Sequence, residues 1–73
     1  MAEERALNTP DEILRMALEK ETQARDSYRE LASRCPVDFV RDLLLTLENE
    51  EYRHMRMIRE MLGKLEAGLP IES

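Results

Sequence analysis

A chain of 73 residues with a net charge of −5 and one cysteine, Cys35, excludes a disulfide-stapled scaffold and disfavours nucleic acid or an anionic membrane as partner. It has no apolar N-terminal stretch and no apolar run of roughly 18 residues, so neither a secretory leader nor a membrane span is expected, and the expected compartment is the reducing cytoplasm. Charged residues make up 37 % of the chain and aromatics 4 %, a balance that suits helices in one small domain with little surface to bury on its own.

Residues 1–9 read as a flexible N-terminal arm, charged and without a clear terminator. Thr9-Pro10-Asp11-Glu12 is a helix start: Thr9 can cap, Pro10 fits the first helical position and Glu12 completes a capping box. Neither glycine nor proline follows until Pro36, so a first helix is expected over about residues 10–34. Cys35-Pro36 breaks it, because a residue before proline is pushed out of the helical region. Pro36 and Asp38 suit the first turn of a second helix, expected over about residues 36–65. Gly63 lies near its end and Gly68-Leu69-Pro70 stops anything that continues, which makes residues 10–66 a helical hairpin and residues 67–73 a C-terminal tail.

Both helices carry a seam stepping by threes and fours. The first runs Leu14, Ala17, Glu21, Ala24, Tyr28, Leu31, Cys35; the second runs Val37, Val40, Leu44, Leu47, Glu51, His54, Ile58, Met61, Leu65. Only Glu21, Glu51 and His54 are strongly polar, and the last two form a Glu-x-x-His pair one turn apart. Glu21 stands 14 residues before Cys35 and Glu51 stands 14 after Val37. In an antiparallel hairpin both then lie roughly 21 Å from the turn, facing each other at one level.

Unpaired carboxylates on such a seam are costly, and two at one level repel and raise one another's pKa. A divalent cation removes both penalties. Carboxylates with one imidazole suit iron or manganese better than a structural zinc, which favours thiolates. One hairpin offers two Glu and one His, too few for a dinuclear centre. Two hairpins about a two-fold axis offer four Glu and two His, and they also cover a seam that one hairpin leaves exposed. The expected fold is therefore all-α, a two-helix antiparallel hairpin that dimerises into a four-helix bundle.

The segments Glu21-Thr22-Gln23-Ala24-Arg25-Asp26-Ser27-Tyr28 and Glu48-Asn49-Glu50-Glu51-Tyr52-Arg53-His54 resemble the two metal-binding helices of rubrerythrins, and the likeness covers about residues 13–62. That resemblance implies a ferritin-like di-iron or di-manganese protein, with Glu21 a terminal ligand, Glu51 a bridging ligand and His54 a terminal nitrogen ligand. It implies two Fe (or Mn) ions per dimer, bridged by carboxylates and an oxo or hydroxo group. Dioxygen or peroxide would oxidise Fe(II) there, as a ferroxidase or in rubrerythrin-like peroxide reduction, with an external electron donor. Rubrerythrins carry both bundle halves in one chain, whereas this sequence carries one, and it holds no Cys-x-x-Cys pairs for a rubredoxin-type centre. The 30-residue step from Glu21 to Glu51 also resembles encapsulated ferritins, although Leu65 to Ser73 holds no convincing encapsulin-targeting peptide. The alternative is a non-catalytic helical dimerisation module with a structural or scavenged metal.

Three further residues are candidates to support the ligands. Tyr28 is one heptad from Glu21 and could hydrogen-bond a ligand, or be a core tyrosine whose hydroxyl reaches solvent. Glu48 and Glu50 flank the seam, where solvated charges are the commoner reading. Tyr52 falls off the seam and reads as surface; Arg53, Arg56 and Arg59 read as a solvated face. Cys35 and the methionines at 16, 55, 57 and 61 read as packing residues. Phe39 and Leu45 lie further round the second helix, and if they cluster they mark a second interface and a higher oligomer.

Overall fold

A computed structural model describes residues 9–68. They form two helices, α1 (Pro10–Arg34) and α2 (Asp38–Glu66), packed side by side as a hairpin, with no strand among the described residues. Residues 1–8 of the expected arm and residues 69–73 of the expected tail lie outside the described residues, as does most of the stretch read for a targeting peptide. Among the described residues no helix is long and apolar enough to cross a membrane.

The start of α1 follows its sequence signal. Thr9 is extended; its side chain accepts from the Glu12 amide and the Glu12 carboxylate accepts from the Thr9 amide, at 3.4 and 3.5 Å. The connection is longer than a break at Pro36 alone implies, because Cys35 and Val37 are both extended and α2 starts only at Asp38. Arg41 ties this turn down, donating to the Cys35 carbonyl at 3.0 Å and to Asp38 at 2.6 Å. At the far end Gly68 takes φ 76°, a left-handed conformation that closes the helix at little cost only for glycine.

Packing departs from the expected seam in one respect. The buried residues are Ala32 on α1 and Glu48, Met55 and Leu62 on α2, the last three spaced by sevens. With Arg41, Leu44, Glu51, Ile58 and Leu65, all half-buried, they form the stripe that α2 turns towards α1. The expected seam shares Leu44, Glu51, Ile58 and Leu65 with that stripe. Of its other members, Val37 precedes α2, and Val40, Leu47, His54 and Met61 lie on the neighbouring stripe, where Val40 and Leu47 are half-buried, Met61 is 42 % exposed and His54 is exposed. The physical reason is the width of the apolar sector. It spans two overlapping heptad stripes, and a single neighbouring helix can cover only one.

The uncovered side is correspondingly apolar. Leu31 and Ile13 on α1 and Leu43, Met57 and Met61 on α2 are all exposed, and an open apolar hollow of about 340 Å³ lies between Pro10, Ile13, Leu14, Met61 and Leu65. Phe39 (77 % exposed) and Leu45 (42 % exposed) do not cluster. Six positions apart, they lie about 120° apart around α2, and Phe39 instead shares a side with Leu43.

The buried methionine supplies a measurement of the hairpin's cohesion. Met55→Ala is expected to cost about 2–5 kcal/mol, a large share of the stability of so small a fold, whereas Phe39→Ser is expected to cost little within one hairpin. Urea midpoints of the two variants check this, and equal shifts would show that α2 does not turn Met55 towards α1.

Candidate metal centre

Three titratable side chains converge at mid-hairpin. α1 delivers Glu21; α2 delivers Glu51 and, one turn on, His54. One ligand atom from each lies within 4.8 Å of the other two. His54 Nδ1 is 3.3 Å from Glu21 Oε1 and 3.4 Å from Glu51 Oε1, so the imidazole bridges the carboxylates of both helices. Exposure is graded: the Glu51 side chain is 14 % exposed, that of Glu21 32 % and that of His54 46 %. The cluster is closed on the side of the helix pair and open on the side of the uncovered apolar stripe.

Electrostatics inside the cluster are those of two acids close enough to shift one another's pKa. The hydrogen bond with Glu21 raises the Glu51 pKa, and burial and repulsion by Glu21 raise it further. The same hydrogen bond lowers the Glu21 pKa, aided by His54 and opposed by burial. The two shifts run in opposite directions, so Glu51 is the acid of the pair that keeps its proton to the higher pH. Even so, Glu51 Oε1 is buried without a hydrogen-bond partner. The 3.4 Å approach of His54 is an ion-pair distance, not a hydrogen bond. An orphaned buried acceptor is destabilising by about 1–3 kcal/mol.

The residues present fit a divalent cation of the iron or manganese kind: two carboxylates, one imidazole, and a buried oxygen that lacks a hydrogen-bond donor. A proton relieves the repulsion, but a metal ion would also satisfy the orphaned oxygen. Three donors fill only part of such an ion's coordination shell, and the missing part lies towards the open face.

The supporting candidates fall elsewhere. Tyr28 is half-buried on α1, and no hydrogen bond joins its hydroxyl to the cluster. Glu48 is not a solvated charge; it is buried, and its Oε2 accepts from Arg29 Nε at 2.9 Å. Glu50 pairs with Arg53. Neither acid joins the three candidate ligands. Tyr52, read as surface, is 37 % exposed but held twice: Arg29 donates to its hydroxyl and the Arg25 guanidinium lies 5.2 Å from its ring centroid. A signal for this group existed. Arg25 and Arg29 repeat at one helical turn on α1, as Glu48 and Tyr52 do on α2. The expected seam placed both pairs outside the core.

The family model described as Rubrerythrin matches residues 12–72. No curated protein and no solved structure gives a match.

The opposed shifts of Glu21 and Glu51 give the metal-free protein a definite pH response. Glu51, raised above the ordinary 4.5, contributes stability that is full below that value and is lost as the pH rises through its elevated pKa. Glu21, lowered from 4.5, contributes stability present above 4.5 and lost as the pH falls through its depressed pKa. Glu51→Gln keeps a donor at this position and loses no proton. Under chelator it is expected to be the more stable protein above the Glu51 pKa and to converge with the parent towards 4.5 and below. Urea midpoints across this range check it; a constant gap at every pH would mean that folding does not raise the Glu51 pKa.

Proposed function

The chain belongs to the rubrerythrin family, and from that membership together with the Glu21–Glu51–His54 cluster we propose that it is a di-iron or di-manganese protein whose dinuclear centre is shared between two copies of the hairpin. The observation that carries this is the orphaned Oε1 of Glu51, buried at the centre of a cluster that opens onto an apolar face. Two hairpins related by a two-fold axis would supply four glutamates and two histidines, with a Glu-x-x-His pair from each second helix. The same pairing would bury Leu47 and Met61, which stand one heptad to either side of His54, and would keep bulk water from the centre.

Each residue then has a task. Glu51 is the most enclosed of the three, which suits a bridging carboxylate, and its raised pKa means that metal must compete with a proton for it. Glu21 is already the more acidic partner and suits a terminal ligand. His54 turns Nδ1 towards both carboxylates, so as a ligand it would carry its ring proton on Nε2. Bound iron would supply electron transfer to dioxygen or peroxide, while the chain supplies geometry, open coordination positions and a dry wall. Oxidation of Fe(II) as a ferroxidase and reduction of peroxide with electrons from a separate donor both use such a centre.

Metal content and mass in solution address the shared centre together. The expected result is about one iron or manganese per chain in an even-numbered oligomer. Anaerobic Fe(II) followed by air is expected to give near-ultraviolet absorption and oxygen uptake faster than buffer, and Glu51→Ala is expected to abolish binding. Metal uptake without faster oxidation would leave a helical dimerisation module with a structural metal. Normal binding by Glu51→Ala, with a gain in stability, would make the polar cluster a packing feature.

A further inference from the structure

Next to the cluster lies a second polar group that the metal ligands do not use. Glu48 and Tyr52 are one turn apart on α2 and bracket Glu51. A single guanidinium from α1 reaches both: Arg29 donates through Nε to Glu48 Oε2 at 2.9 Å and through a terminal nitrogen to the Tyr52 hydroxyl. Arg25, one turn earlier on α1, closes over the Tyr52 ring at 5.2 Å. We propose that Arg29 is a positioning residue for the metal centre: by gripping the residues on both sides of Glu51 it sets the level of α2 against α1 at which Glu21 meets Glu51 and His54. The inference rests on the metal-centre reading for its consequence, but the grip and its geometric effect belong to the metal-free hairpin.

The need for such a device follows from the packing. Apolar contacts between two helices change little when one slides along the other, so register is commonly set by a polar contact that works at one level only. Glu48 is 8 % exposed and so requires a partner. Arg29 is exposed, and the ion pair contributes little through charge alone. Its value is directional. A guanidinium presents donors in a rigid fork, so holding Nε on Glu48 and a terminal nitrogen on Tyr52 fixes height and rotation together. A lysine ammonium keeps the charge but not the fork. A binding constellation tolerates errors of only about 0.5 Å, whereas each residue of slip along a helix is about 1.5 Å.

The test uses the full chain with Arg29→Lys, Tyr52→Phe and, as a control for lost stability, Leu62→Val, which thins the buried stripe eight residues beyond His54. Two quantities are read: Co(II) affinity from visible absorption, and in metal-free protein the ring signals of His54, the only histidine in the chain. Arg29→Lys is expected to keep its helix content, bind Co(II) about 10- to 100-fold more weakly, and move the His54 ring signals. Tyr52→Phe, which removes one of the two grips, is expected to move both in the same direction by less. Leu62→Val is expected to leave both unchanged. The proposal fails if Arg29→Lys has native affinity and native ring signals, or if Leu62→Val displaces both to the same extent, since Arg29 would then act through stability alone. Should the parent chain take up no Co(II), the metal-centre reading falls. The ring signals then decide the grip alone: moved by Arg29→Lys and not by Leu62→Val they support it, and unmoved they overturn it.

Discussion

Glu21 on α1 and Glu51 on α2 meet across the gap between the helices, the first with its pKa lowered and the second with its pKa raised. That contact sets the terms for the rest of the hairpin. Two carboxylates so close, with one largely enclosed, cannot both ionise without strong repulsion. The helices must nevertheless stay at a separation and a level that keep them together. Apolar burial alone would not select this arrangement, because Leu or Met at positions 21 and 51 would pack at lower cost. The opposed pKa shifts of the two acids ease that repulsion, and the ion pair of Arg29 with buried Glu48 anchors the neighbouring turn of α2.

The second constraint is the division of the apolar surface. α2 turns Glu48, Met55 and Leu62 towards α1 and leaves His54 and Met61 on the neighbouring stripe exposed, with Leu47 of that stripe half-buried. One ligand candidate, Glu51, belongs to the covered stripe, and the other on α2, His54, to the uncovered one. The candidate centre therefore sits on the boundary between what one hairpin completes and what it leaves open. This is why the coordination question and the packing question have the same answer in the proposed pairing: whatever covers His54 also covers Leu47 and Met61.

Much of this was legible in the residues. Thr9-Pro10 and Glu12 announce the start of α1 because capping is local chemistry, decided within four residues. Cys35-Pro36 announces the break for the same reason, although the extended Val37 carries the connection further than proline geometry alone requires. Glu21, Glu51 and His54 stood out because acids and histidine are conspicuous on an apolar seam, and the structure brings them within 4.8 Å of one another. Less legible was which of two overlapping stripes faces inward. A sector wide enough for two neighbours satisfies the three-four spacing along either stripe, so periodicity does not choose between them. Glu48 was misread for a related reason. A glutamate among Glu50, Glu51 and Arg53 looks solvated until the register places Arg29 opposite it. Pairing across helices depends on register, which no single-helix pattern contains.

These constraints couple assembly to charge. In the proposed shared centre, a second hairpin brings its own pair of acids to the first, and a histidine with them. Without cations, four carboxylates would then meet in a site newly closed to water. Covering the apolar stripes favours the pairing, while enclosing the acids opposes it. Two divalent cations would neutralise four carboxylates and would satisfy the orphaned Glu51 oxygen in each copy. Metal binding and hairpin pairing would therefore reinforce each other: ions bind the paired form better because it has the full ligand set, and by linkage they draw hairpins into that form. The polar residues that weaken the seam of an isolated hairpin are, on this argument, what makes its assembly answer to metal.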